Sequence, residues 1–206
     1  MIKSGRRKPF SSIERVVGGV FSSIPVTPNQ WTFMSLAFGA AGLATSATHR
    51  GFGLSLTLFF AAFLLDYVDG AVARYTGNIT KAGAYIDGIS DRFVEAFILT
   101  GLMFYSLPSV FVDPKISLAV LLFLGTMTSY SRAYADHRKI VTNERKLREM
   151  GGLLERFERI SILLAAMALS FYYGPAVISY TVILLIVLSF VTVAQRILYS
   201  VREACR

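Results

Sequence analysis

The chain has 206 residues, of which 54% are hydrophobic and only 17% charged, a balance too apolar for an ordinary water-soluble domain. Its net charge of +8 is spread over short groups without an interleaved aromatic pattern, which sets nucleic acid aside and points to anionic headgroups and phosphorylated ligands. The single cysteine, Cys205, excludes an internal disulfide framework and a thiolate metal cluster, and it has no assigned role.

The first 25 residues carry Lys3, Arg6, Arg7, Lys8 and Arg15, and Gly18-Gly19 breaks the apolar core that a cleavable signal would need. Phe10, Ile13, Val17, Val20, Phe21 and Ile24 recur at helical spacing opposite Glu14 and Arg15. This pattern predicts an amphipathic juxtamembrane helix, lying on the cytoplasmic membrane surface and compatible with packing against a bundle. Thr27-Pro28 reads as an N-cap and first helical residue, and Trp31 just inside fits an interfacial anchor.

Apolar segments then follow near 30–48, 52–73, 83–107, 115–134, 158–173 and 175–195. Each approaches the roughly 20 residues that a membrane-crossing helix requires. The expected fold is therefore all-α and integral to the membrane, with six transmembrane helices preceded by the juxtamembrane helix, as one domain over residues 1–206. Of the 21 Lys and Arg, all but Arg50 and Lys115 fall on one side of this layout. The bias places both termini and the connections after the second and fourth spans in the cytoplasm. Asn78-Ile79-Thr80 has the form of a glycosylation acceptor, but it falls on that cytoplasmic side.

Four aspartates interrupt the second and third spans, in the spacing Asp66-x-x-Asp69-Gly70-x-x-Ala73-Arg74, eight residues, Gly83-x-x-x-Asp87-x-x-x-Asp91. A carboxylate at membrane depth costs roughly 2.5–3.5 kcal/mol, so the four together cost on the order of 10 kcal/mol unless compensated. At about 100° per residue, 66, 69, 70, 73 and 74 share one face of a helix, and 83, 87 and 91 share one face of the next. Gly70, Ala73 and Gly83 lie in the same stripes and leave room for a bulky ligand near the backbone. An all-carboxylate donor set is hard and suits Mg²⁺, Mn²⁺ or Ca²⁺ better than zinc. Read without further comparison, the acids also fit an ion-pair network with Arg74 and Arg92, or a cation-coupled transporter. A transporter would more naturally show paired broken helices in related halves.

These eight fixed residues resemble, position for position, the signature of the CDP-alcohol phosphatidyltransferases. The resemblance implies a membrane transferase that displaces CMP from a CDP-linked lipid or alcohol with the hydroxyl of a second alcohol. It implies two Mg²⁺ or Mn²⁺ ions, with Asp66, Asp69 and Asp87 ligating both or bridging them, and Asp91 ligating one and serving as general base. Asp69, Gly70, Ala73, Arg74 and Gly83 would contact the CDP group, Arg74 through a phosphate. A homodimer is implied as well. His49 and His137 lie outside the motif, and Glu95, continuing the 87–91 stripe, is expected to make a structural hydrogen bond.

Two further segments are similar to the subgroup that makes phosphatidylinositol phosphate, or its archaeal ether-lipid counterpart, from inositol phosphate. They are Ser129-Tyr130-Ser131-Arg132-Ala133-Tyr134-Ala135-Asp136 and Gly152-Leu153-Leu154-Glu155-Arg156-Phe157-Glu158-Arg159. The similarity assigns acceptor phosphate to Ser129, Arg132, Arg156 and Arg159. Tyr134 stands where that subgroup has arginine, which removes or replaces one phosphate ligand. Glycerol phosphate would suit the same arginines, and CDP-inositol is an alternative donor.

Overall fold

The computed structural model describes residues 12–143, 146–147 and 150–205. Phe10 and the basic residues Lys3, Arg6, Arg7, Lys8, Arg145, Arg148 and Arg206 lie outside these. Among the described residues are seven helices and no strand. They are α1 (Ser12–Ser22), α2 (Pro28–Ala47), α3 (Phe52–Tyr75), α4 (Lys81–Leu102), α5 (Pro114–His137), α6 (Arg156–Tyr173) and α7 (Ala176–Ala204).

Local chemistry sets most of the boundaries. Pro28 and Pro114 open α2 and α5 at positions where a missing N–H costs nothing. Gln30 reaches back to accept from the Thr27 N–H at 2.8 Å, and Asp113 accepts from the Lys115 N–H at 2.8 Å. Thr80, the last residue of the sequon-like triplet, caps α4 by accepting from the Gly83 N–H at 2.9 Å. Between α3 and α4 the turn passes through Gly77 at φ 71°, a left-handed conformation that favours glycine. The short 76–80 connection makes the two aspartate helices antiparallel neighbours.

Helix α2 carries a stripe of small and hydroxyl residues, Thr32, Ser35, Gly39, Gly42 and Ser46, all buried against α3 and α4. Small side chains let backbones approach where lipid supplies no hydrophobic drive between helices. Phe59 of α3 fills the resulting gap: a Cβ on Gly42 of α2 or on Gly101 of α4 would stand 2.6 Å from its ring. The remaining core runs through Ile98, Leu121, Leu163 and Leu185, joining α4 to α5, α6 and α7. Because the six long helices alternate in direction, the start of α2, the end of α3, the start of α4, the end of α5, the start of α6 and the end of α7 meet at one end of the bundle.

Three helices, α3, α5 and α7, are long and apolar enough to cross a bilayer. Phe60, Phe123, Leu184 and Phe190 project from these helices as exposed large apolar groups, a surface suited to lipid. The chain is an all-helical integral membrane protein. The expected six spans appear as six helices, but α2, α4 and α6 fall short of that apolar criterion. In α4 and α6 the reason is visible, since Lys81, Asp87, Asp91, Arg92 and Glu95, and Arg156, Glu158 and Arg159, sit within them.

Helix α1 packs on α3 through Gly18, whose added Cβ would meet Tyr75 Cβ at 2.7 Å and the Ala71 carbonyl at 2.8 Å. The expected amphipathic face is only partly buried: Val17 and Phe21 pack inward, whereas Val20 is 60% exposed. Trp31 corrects a second expectation. It is 5% exposed and packs edge-on against Phe21 at 5.6 Å, over Val68 and Val72. It holds α1 to the bundle instead of reaching the interface.

Candidate functional site

The aspartate faces of α3 and α4 converge. One carboxylate oxygen from each of Asp66, Asp69 and Asp87 lies within 4.8 Å of the others. Mutual repulsion alone would separate such oxygens, so their approach reflects fixed helix positions. Asp66 Oδ1 is buried and finds no hydrogen-bond partner among the described residues. Asp69, 3% exposed, accepts from the Thr32 hydroxyl at 2.6 Å. Three hard oxygen donors and a buried acceptor with no protein partner fit a divalent cation.

Asp91 lies one turn beyond that triad and is held by arginines, with Arg92 at 3.0 Å and Arg156 paired to its other oxygen. Arg156 also pairs with Asp66. Its position is set by Phe157, which packs against Phe63 at 5.1 Å and Tyr67 at 5.9 Å and so presses the start of α6 onto α3. The guanidinium is thus bound by two of the four motif aspartates.

Two cavities meet at the acids. The larger, about 540 Å³, is lined by Asp66, Asp91, Arg92, Ser129, Arg132, Arg156 and Arg196. The smaller, about 440 Å³, is lined by Thr27, Asn29, Thr32, Ala73, Asn78, Thr80 and Gly83. Asp69, Gly70, Arg74 and Asp87 face both. One chamber is therefore rich in arginine and the other is neutral and polar, with carboxylates at their junction.

The sequence-derived acceptor residues do not all converge. Ser129 and Arg132 line the larger cavity, with Arg132 reaching Glu155 at 3.3 Å and its Nε buried without a partner among the described residues. Arg159 does not line it. Its side chain is 1% exposed and pairs with Glu95 at 2.6 Å behind Gly125. Tyr134 also lies away from the cavity, stacked between Tyr130 at 5.3 Å and His137 at 6.4 Å with Arg138 over its ring. Arg74 is exposed on the rim and bonds Glu14 of α1 at 3.1 Å.

Sequence offers no site reading for Arg196 or Thr32, and it reads Arg92 only as an ion-pair partner of the acids. Arg196 belongs by sequence only to the one-sided basic bias, yet it is buried against the Thr128 and Gly151 carbonyls and within 3.4 Å of Glu155. Arg92 donates to Ser129, and Thr32 holds Asp69. Arg196 sits in α7, the most apolar helix, where an arginine needs a polar partner, and that was the available signal.

Residues 25–195 match the model of the CDP-alcohol phosphatidyltransferase family. The chain is 31% identical over 201 residues to the phosphatidylinositol phosphate synthase of Corynebacterium glutamicum, covering 94% of this chain and 86% of that one. It is 32% identical over 194 residues to the archaetidylinositol phosphate synthase of Aeropyrum pernix, covering 94% and 93%. Among solved structures, phosphatidylinositol phosphate synthase PgsA1 of Mycobacterium tuberculosis in complex with manganese and citrate superposes with a TM-score of 0.73 at 25% identity, covering 91% of this chain and 88% of that one. The same enzyme with CDP-DAG bound gives 0.72 at 25% identity, covering 91% and 93%. Motif spacing, helix order and whole-chain similarity agree, and the chain belongs to the CDP-alcohol phosphatidyltransferase family.

Proposed function

We propose that this protein transfers a phosphatidyl-type group from a CDP-linked lipid, CDP-diacylglycerol or its archaeol counterpart, to a hydroxyl of inositol phosphate, releasing CMP. The observation that carries this reading is the placement of the carboxylate triad between a neutral and an arginine-lined cavity. The names of the similar bacterial and archaeal synthases support the same acceptor.

Asp66, Asp69 and Asp87 would hold Mg²⁺ or Mn²⁺, with Asp91 as a further ligand to one of two ions. A bound divalent cation polarises the diphosphate and offsets charge on the departing CMP. The neutral cavity suits the donor's cytidine, with Gly70, Ala73 and Gly83 keeping the backbone open beside it and Arg74 at the rim for a phosphate. Arg132, Arg156 and Arg196 would orient the acceptor phosphate in the larger cavity, with Ser129 as a neutral donor. Asp91 faces that cavity and not the smaller one, which suits a base on the acceptor side. There its carboxylate takes the hydroxyl proton as the acceptor oxygen bonds to the lipid-bearing phosphorus and the bridging P–O bond to CMP breaks. Arg159 fits a structural role better than a phosphate ligand, because it is sealed against Glu95 and, unlike Arg156, does not line the larger cavity.

We also infer that all six long helices span, as one domain with both termini and the site in the cytoplasm. Helices α2, α4 and α6 have 20, 22 and 18 residues. At 1.5 Å per residue these reach about 27–33 Å, near the thickness of the hydrocarbon layer. Family resemblance supports a homodimer, for which the outward Tyr85, Ile89 and Phe93 on α4 would offer an apolar face.

The test is CMP release by purified protein against a panel of donors and acceptors. The expected result is turnover with CDP-diacylglycerol or CDP-archaeol and inositol phosphate, abolished by chelator. Turnover only with free inositol or serine would overturn the acceptor assignment.

A further inference from the structure

We infer that Thr32 is a positioning residue for the metal-binding carboxylates, an assignment that rests on Asp69 being a metal ligand. The hydroxyl has one proton and two acceptors in reach: Asp69 Oδ2 at 2.6 Å and the Pro28 carbonyl, one turn back in α2, at 3.2 Å. The shorter, charge-assisted bond takes the proton. Both residues are 3% exposed, so water does not compete for it.

The bond crosses from α2 to α3 and fixes a rotation that the backbone leaves free. Three carboxylates within 4.8 Å repel one another, and turning the Asp69 carboxyl about its terminal bond would relieve that repulsion. By occupying one oxygen, Thr32 keeps the Asp69 plane fixed against this rotation. The same residue lines the smaller cavity beside Asn29, so the wall of the proposed nucleotide chamber and the orientation of a ligand carboxylate share one side chain. Ser35, one turn further along the same α2 stripe, donates instead to the Ala62 carbonyl at 2.8 Å. It is a matched hydroxyl with a neutral partner.

Outer-sphere partners of metal ligands are worth roughly 10–100-fold in metal affinity. The experiment is Mn²⁺ titration of the detergent-solubilised full chain, followed by electron paramagnetic resonance without substrate, alongside thermal unfolding in EDTA. Thr32→Val keeps the side-chain shape without the proton donor and should weaken Mn²⁺ by roughly 10–100-fold. Thr32→Ser should restore near wild-type affinity, and Ser35→Ala should leave it unchanged. If the valine disturbs the fold, Thr32→Ala reports on the same bond, with its EDTA unfolding temperature separating packing loss from metal loss. Wild-type Mn²⁺ affinity in the folded Thr32 variants, with affinity lost in Asp69→Asn, would overturn the role of Thr32 alone. Unchanged affinity in Asp69→Asn would overturn the metal assignment itself.

Discussion

Arginines of similar sequence context have different work once their neighbours are known. Arg132 is partly exposed and faces the larger cavity, whereas Arg159, three residues after Arg156, is sealed against Glu95. If Arg132 holds the acceptor phosphate as proposed, its removal deletes one charge-assisted contact of about 1.5–3 kcal/mol, so Arg132→Ala should raise acceptor KM roughly ten- to hundredfold and spare the donor. Removing Arg159 instead leaves a buried carboxylate unpaired, which costs about 3–5 kcal/mol. Arg159→Ala should therefore lower the unfolding temperature in detergent and the yield of folded protein. A normal thermal transition with a selective acceptor defect would return Arg159 to the site. The motif aspartates belong to a third class: Asp66→Asn or Asp87→Asn should reduce turnover by more than about a hundredfold, beyond the usual outer-sphere loss, with Mn²⁺ affinity as the parallel readout. The carboxylate spacing was legible in sequence because helical periodicity fixes which residues share a face. The fate of Arg159 was not, because periodicity does not say which residue on another helix meets that face.

At the level of helices, legibility follows the same divide. Apolar runs located α2 to α6 to within about five residues, and Thr27-Pro28 marked the start of α2, since these signals act locally, whereas the last helix continues to Ala204, past the expected end at 195. The arrangement of α1 depended on the long-range fit of Gly18 to Tyr75 and on Trp31 closing over Phe21, neither of which a local pattern encodes. That fit makes a prediction. Any side chain at 18 enters space held by the Tyr75 Cβ and the Ala71 carbonyl, at 2.7 and 2.8 Å from even a single added carbon. Gly18→Val should lift α1 from α3, and Trp31, the chain's one tryptophan, reports it directly. The expected outcome is greater acrylamide quenching with a red-shifted emission. Because Glu14 of α1 bonds Arg74, donor KM should rise in the same variant. Wild-type quenching would show that α1 tolerates the bulk by sliding.

For the whole molecule, the alternation of six helices gathers every charged site element at one end, so orientation and chemistry are one question. Arg74, Lys81, Arg132, Arg156 and Arg196 all lie toward that end, while Arg50 lies at the other, in the exposed α2–α3 turn. The Lys and Arg bias favours the proposed cytoplasmic placement of this end, where a water-soluble acceptor phosphate would reach the larger cavity. The protein supplies its own reporter, because Cys205 is exposed, free and the sole cysteine, one residue beyond α7. A membrane-impermeant maleimide should label Cys205 in inside-out vesicles and fail to do so in intact cells. Arg50→Cys in a Cys205→Ser background should give the opposite pattern. An even number of crossings between the α1 end and Cys205, and an odd number between residue 50 and Cys205, are both required for six spans. If α2, α4 and α6 did not cross, α3, α5 and α7 alone would give three crossings and place Cys205 opposite α1. Adding a cysteine at exposed Arg15 in the Cys205→Ser background completes the measurement, since six spans require positions 15 and 205 to react from the same side. Labelling of those two positions from opposite faces would rule out the six-span topology.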